Sequence, residues 1–174
     1  PGSLSYGSAG VGTTPHLSAE LFRKVTGVDI THVPYRGTSA AVPDLTTGDL
    51  HLMFGDVSTL RPFIESGAVR ALAVTGSARS KLIPQVPTVV EAGFSELAVR
   101  NFSALLAPAG TDAQAMRALN DALNQAKKDA GFVARLETQG MSPIDSSPEH
   151  ARNYLRTEKS IWEPLVQSIS LKAQ

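Results

Sequence analysis

Along the first half of the chain, short apolar runs alternate with apolar residues spaced four apart. Leu4 to Tyr6 has strand character. Leu17, Leu21 and Val25 then repeat every four residues, which places them on one helix face. Residues 28–34 carry branched side chains at Val28, Ile30, Thr31 and Val33, a strand pattern. The same reading predicts a small-residue helix capped by Thr38 and running to about residue 47, and a strand over 50–54. A helix capped by Asp56 follows to about residue 66, then an apolar strand over 69–75. Gly27, Gly48 and Gly67 stand where those helices must stop. The order β-α-β-α-β-α-β predicts an α/β lobe with a largely parallel sheet.

Beyond residue 75 the pattern changes. Residues 76–86 read as a loop. Thr88 to Glu91 forms a capping box for a short helix ending at Gly93. A strand is predicted over 102–107, broken by Pro108-Ala109-Gly110. Thr111 to Gln114 is a second capping box, opening a helix over 113–128. A shorter helix covers about 132–139. Ser147-Pro148-Glu149 starts a last long helix, in which Pro164 predicts a kink or break. The shift near residues 94–101 marks a lobe boundary, with 1–98 as one lobe and 99–174 as part of a second. That second part has too few strands to be a complete α/β lobe.

Composition narrows the function classes. The 174 residues are 42% apolar with a formal charge of zero. That suits one domain or two small lobes, and with no basic run it argues against nucleic acid or an anionic membrane surface as partner. The absence of cysteine excludes disulfides, thiolate metal sites and cysteine nucleophiles. No apolar stretch has transmembrane length. Residue 1 is Pro and strand-like sequence begins at once, so an N-terminal segment is expected to be missing.

The chemistry concentrates in residues 4–17, a strand, a glycine-rich turn and a first helical turn. Thr14 is the expected N-cap, and Pro15 suits the first helical position. A glycine-rich loop entering a helix N-terminus directs several N–H groups and a positive dipole end at one point, which favours an anion. Ser8, Ala9, Gly10, Gly12, Thr13 and Thr14 are the candidate ligand-binding residues of this loop. It lacks the Gly-Lys-Ser/Thr ending of a nucleotide P-loop, and Pro15 departs from the dinucleotide fingerprint. Without a loop cation, carboxylate fits better than triphosphate. The alternative is a tight strand–helix turn with no ligand.

His16, in the first helical turn, is a candidate ligand contact or else a solvated or capping side chain. Tyr35, Arg36 and Gly37 follow a strand end, where open α/β sheets bind ligands. Asp56 also follows a strand, either as a helix N-cap or as an acceptor for a ligand hydroxyl, amine or water. Thr75 is a weaker candidate of the same kind. Glu91, Gln114 and Glu149 read as structural, and Tyr154 and Trp162 as core. His32, His51 and His150 form no metal-ligand spacing with carboxylates, and no nucleophile–base pair stands out. No cofactor, metal or catalytic residue is therefore expected.

Several ordered motifs together resemble a family. They are Tyr6-Gly7-Ser8-Ala9-Gly10-Val11-Gly12 with His16-Leu17, Val33-Pro34-Tyr35-Arg36-Gly37, and Asp44-Leu45 with Gly48. Ala71 to Thr75 with Arg79, Pro84 to Gly93, and Leu106 to Thr111 complete the set. In this order over nearly the whole chain, the sequence is similar to the solute-binding receptors of tripartite tricarboxylate transporters, the Bug proteins. The resemblance implies a periplasmic, two-lobed, type II-like binding-protein fold that closes on a small organic acid and delivers it to a membrane permease. It further implies that residues 1–98 are the middle lobe and 99–174 the C-terminal share of the other, whose N-terminal part, and half the ligand clamp, lie outside this chain. Two other readings remain: a truncated fragment that self-associates without ligand, and a small α/β phosphate-handling enzyme.

Overall fold

Gly7 lies at the middle of the architecture. The computed structural model describes residues 2–144 and 147–169, and places Gly7 on the central strand of a three-stranded parallel sheet. The strands are β1 (Leu4–Ser8), β2 (Ile30–Pro34) and β3 (Leu52–Met53), in the order β2-β1-β3. β1 runs in register with β2 from Leu4↔Ile30 to Ser8↔Pro34, and with β3 at Tyr6↔Leu52 and Gly7↔Met53. Parallel pairing brings the C-terminal ends of all three strands to one edge. Glycine is needed at position 7 because a Cβ there would meet Leu50 Cδ1 at 2.6 Å and Ala41 Cβ at 3.4 Å.

Three helices connect and follow these strands: α1 (Thr14–Thr26), α2 (Thr38–Thr47) and α3 (Val57–Glu65). α1 begins one residue earlier than predicted, with Thr13 at the N-cap position and Thr14 inside the helix. It stops at Gly27, which takes φ 70°. Its buried residues are His16, Ser18, Ala19 and Glu20, not the Leu17, Leu21, Val25 stripe. The sheet decides this, because the buried Tyr6 presents a hydroxyl that Glu20 accepts at 2.6 Å. The apolar core joins Tyr6, Ala19 and Ile30, with Phe22, Leu52 and Phe54 packed against it.

Two predicted strands do not form. Residues 69–75 make only an isolated parallel bridge between Val74 and Thr88, with Val74 N–H donating to Pro87 O and Val89 N–H to Val74 O, each at 2.9 Å. Residues 102–107 have no regular structure, and Leu105 and Leu106 are 68% and 75% exposed. Apolar pattern alone does not make a strand; a ladder partner must satisfy the backbone. The capping box at Thr88 forms both reciprocal bonds, yet the chain turns at Gly93 rather than entering a helix. A short 3-10 turn follows at Ser95–Leu97.

The remaining helices are α4 (Ala113–Ala126), α5 (Ala130–Thr138) and α6 (Pro148–Ser168). Asp112, rather than the Thr111 of the expected box, caps α4 by accepting from the amides of Gln114 and Ala115. Asp129 caps α5 through the Phe132 amide at 2.6 Å. α6 continues through Pro164 as one element, so the predicted break is not observed. Among the described residues, 2–101 with 162–169 form one compact unit and 102–161 another.

Candidate ligand site at the strand ends

The glycine loop leaves the end of β1 and is fastened on both sides. Tyr35 N–H donates to Ser8 O at 3.1 Å, and Gly37 N–H donates to Ala9 O at 3.2 Å. The loop after β2 is thereby stitched to the loop after β1. The loop after β3 joins through Thr38, at the start of α2, whose hydroxyl donates to Asp56 Oδ2 at 3.0 Å. A single edge therefore gathers Ser8 to Thr14, Tyr35 to Gly37, and Asp56. The carboxyl edge of an open parallel sheet is where ligands of such folds bind.

Within the loop many donors are already used. Gly10 N–H donates to Ser8 Oγ at 3.2 Å, Gly12 N–H to His16 Nδ1 at 3.2 Å, and Thr13 N–H to Gly10 O at 3.3 Å. Thr13 Oγ1 donates to the same Gly10 carbonyl at 2.6 Å. Gly10 takes φ 126° and Gly12 φ 78°, a backbone that favours glycine. The first-turn amides of α1, at Thr14 and His16, have no carbonyl four residues earlier within the helix and point toward this edge. The α1 dipole adds positive potential there.

The other candidates divide by exposure. Arg36 is exposed at the end of β2, and Asp56 is exposed at the N-cap position of α3, with its carboxylate bonded to Thr38 rather than to a helix amide. Tyr35 is half-buried, and its hydroxyl donates to Asp44 Oδ2 at 2.5 Å. That bond, with some burial, pushes its pKa up to about 12. Thr14 Oγ1 donates to Asn101 Oδ1 at 3.3 Å. His16 is buried, 5% exposed, beneath the loop.

Beneath the loop lies a polar chain that sequence reading missed. His16 stacks on His32 with ring centroids 4.2 Å apart, and His32 stacks on Tyr6 at 4.8 Å. His32 Nε2 shares a hydrogen bond with Ser8 Oγ at 2.7 Å. Tyr6 leads on to Glu20, which holds Arg23 Nη1 through both carboxylate oxygens at 3.0 Å. Burial, then the Glu20 bond, pushes the Tyr6 hydroxyl pKa upward. Burial also raises Glu20, but the bonds from Tyr6 and Arg23 outweigh it and hold the carboxyl below its ordinary value. The available signal was register: Tyr6 and His32 are paired residues on adjacent strands. Sequence spacing alone does not reveal such pairing. Among the described residues, no group of three or more His, Cys, Asp or Glu is placed to hold a metal ion.

The α/β topology and strand-end loops define the class of a ligand-binding lobe. Over residues 1–171 the chain matches the tripartite tricarboxylate transporter family receptor, and it belongs to that family. It is 33% identical over 172 residues to the protein BugT of Bordetella pertussis, covering 99% of this chain and 53% of BugT. Among solved structures, Rpa4515 of R. palustris with adipate superposes with a TM-score of 0.85 at 32% identity, over 96% of this chain and 56% of that one. MatC from Rhodopseudomonas palustris with bound malate gives 0.80 at 29% identity, over 95% and 57%. The fold is thus that of a periplasmic binding protein, and the chain spans about half the length of the relatives it matches. No helix of the described residues is long and apolar enough to cross a membrane.

Proposed function

We propose that this chain carries one wall of the ligand site of a periplasmic solute-binding receptor for a small organic acid, a di- or tricarboxylate. The observation that carries this reading is the convergence of three loops at one sheet edge, with the N-terminus of α1 entering it. In this reading the amides of the first α1 turn bind a carboxylate, with water filling gaps, and the Thr13 and Thr14 hydroxyls, which here donate to Gly10 O and Asn101 Oδ1, turn to it when it binds. Ser8, Ala9, Gly10 and Gly12 shape the loop around it. Arg36 supplies the complementary charge, while Tyr35 and Gly37 hold the adjoining loop. Asp56 accepts from a ligand hydroxyl or bridging water. Adipate and malate in two structural relatives fit this ligand class. The event is binding without a covalent step, followed by delivery to the transporter's membrane permease. Residues 1–98 serve as the middle lobe and 99–174 as the C-terminal share of the other.

Calorimetric titration with adipate, malate and citrate tests this, using the present chain beside a chain of its relatives' full length. Heat of binding to any of these acids in the longer chain supports the reading; silence with all of them overturns it. Binding by the present chain as well would mean that this edge holds most of the affinity. Self-association without ligand is the second reading. Leu72, Leu105 and Leu106 favour it, each more than two-thirds exposed.

A further inference from the structure

We propose that His16 and His32 are positioning residues: as a stacked neutral pair beneath the glycine loop they hold it in its ligand-accepting shape, and acid releases it. The idea rests on the carboxylate reading for its functional consequence, but its structural claim stands separately. Gly12 N–H donates to His16 Nδ1, so that nitrogen carries no proton and a neutral ring keeps its hydrogen on Nε2. His32 contacts Ser8, whose Oγ accepts from Gly10 N–H. The two glycines that set the loop's turns are thus each tied, directly or through one hydroxyl, to one of the two imidazoles.

A proton on His16 Nδ1 turns the acceptor into a donor facing another donor, and the Gly12 bond is lost. Two imidazolium rings 4.2 Å apart would also repel. The groups facing the pair are Tyr6 and Ser8 from β1, and Glu20 and Arg23 from α1, with Glu20 already committed to Tyr6 and Arg23. Burial holds His16 below its ordinary 6.5, against the pull of Glu20. Burial and then the His16 charge hold His32 down to about 4. At neutral pH both rings are therefore neutral.

The test is imidazole and amide NMR of this chain from neutral to acid pH, for the native protein, His16→Asn and His16→Leu. Asparagine offers a non-titrating Oδ1 near the position of Nδ1; leucine offers no acceptor. The native Gly12 amide should be protected from exchange at neutral pH and lose protection as the His16 ring protonates. His16→Asn should remove that pH dependence while keeping protection, and His16→Leu should lose protection at all pH. Tyr35 and Gly37 amides, which bond to backbone, should be unaffected. A Gly12 amide indifferent to His16 protonation, or protected in His16→Leu, overturns the proposal. If the leucine variant does not fold, the native and asparagine profiles still decide. A parallel adipate titration of a chain of full family length should show affinity falling on acidification by roughly a further fivefold in the native protein beyond the fall in His16→Asn, where only protonation of adipate itself contributes. Absent binding in every variant, with the amide behaviour as expected, would overturn the carboxylate reading while leaving the loop assignment intact. An equal fall in affinity in native protein and His16→Asn would overturn the functional role assigned to the pair.

Discussion

At the residue scale, the buried polar chain beneath the loop sets the sensitivities of the first unit. Tyr6 is fully buried and donates to Glu20, so Tyr6→Phe removes one charge-assisted bond without opening a cavity. A loss of about 1.5–3 kcal/mol is expected by urea unfolding, because the acceptor is an ionised carboxylate left with less support. Gly10→Ala is expected to cost about 1–3 kcal/mol, since φ 126° is unfavourable for alanine and its Cβ would stand 3.3 Å from the Tyr35 carbonyl. The pH dependence follows from the histidines. Their folded pKa values lie below 6.5, so the unfolded chain binds more protons between the two values and stability rises with pH there. The histidine contribution is fully present above pH 6.5 and is lost as pH falls toward about 4, the His32 value. Solvent screening at the half-buried His32 ring holds its share to about 1–2 kcal/mol. Thermal melts at stepwise lower pH should show the midpoint falling through that window, and a midpoint constant from neutral to pH 4 would contradict it.

At the element scale, turn and cap chemistry was legible locally. Gly27 and Gly48 end α1 and α2 in the left-handed conformation, as their positions in the pattern predicted. Three cap residues were legible only within one position, with Thr13 for Thr14, Gly37 for Thr38 and Asp112 for Thr111, while Asp56 stands at its expected position without bonding a helix amide. A carboxylate accepts two amides better than a neighbouring hydroxyl does, and Asp112 does so. Asp112→Ala is expected to destabilise α4 by about 1 kcal/mol, read as a drop in helical signal and melting midpoint. The Asp112→Asn variant should retain most of that. Strands were less legible than helices. A helix satisfies its own backbone, whereas residues 69–75 and 102–107 needed a neighbouring strand that the described residues do not supply.

At the scale of the whole molecule, the exposed leucines set the expected solution behaviour. Leu72 is 71% exposed in the first unit, and Leu105 and Leu106 lie bare in the second. Light scattering across a concentration series should show mass rising with concentration for the native chain. Leu72→Glu, and separately the double change Leu105→Glu with Leu106→Glu, should reduce that rise with little change in melting midpoint, because exposed positions carry little folding energy. A mass independent of concentration would remove self-association as the second reading. The chain matches its relatives over about half their length, so the ligand-binding experiment is best carried out on chains of both lengths.

Local pattern was enough for the α/β class, for the six α-helices that form among the described residues though not for the helix expected at 88–93, for the glycine stops of α1 and α2, and for the loop at the end of the first strand. These depend on backbone conformation and spacing, which neighbouring residues encode. The ordered motifs were enough for the family. Only the folded chain decided which face of α1 is buried, that Tyr6 and His32 stand side by side, and that His16 lies under the loop, bonded to Gly12. Those facts depend on strand register and on which polar groups the sheet presents to the helix. Tyr6 meets Glu20 because α1 packs back on its own strand, and Ser8 meets His32 because parallel strands align. The same cause decided that two apolar segments stay outside the sheet: hydrophobicity can favour a strand, but only a paired backbone completes one.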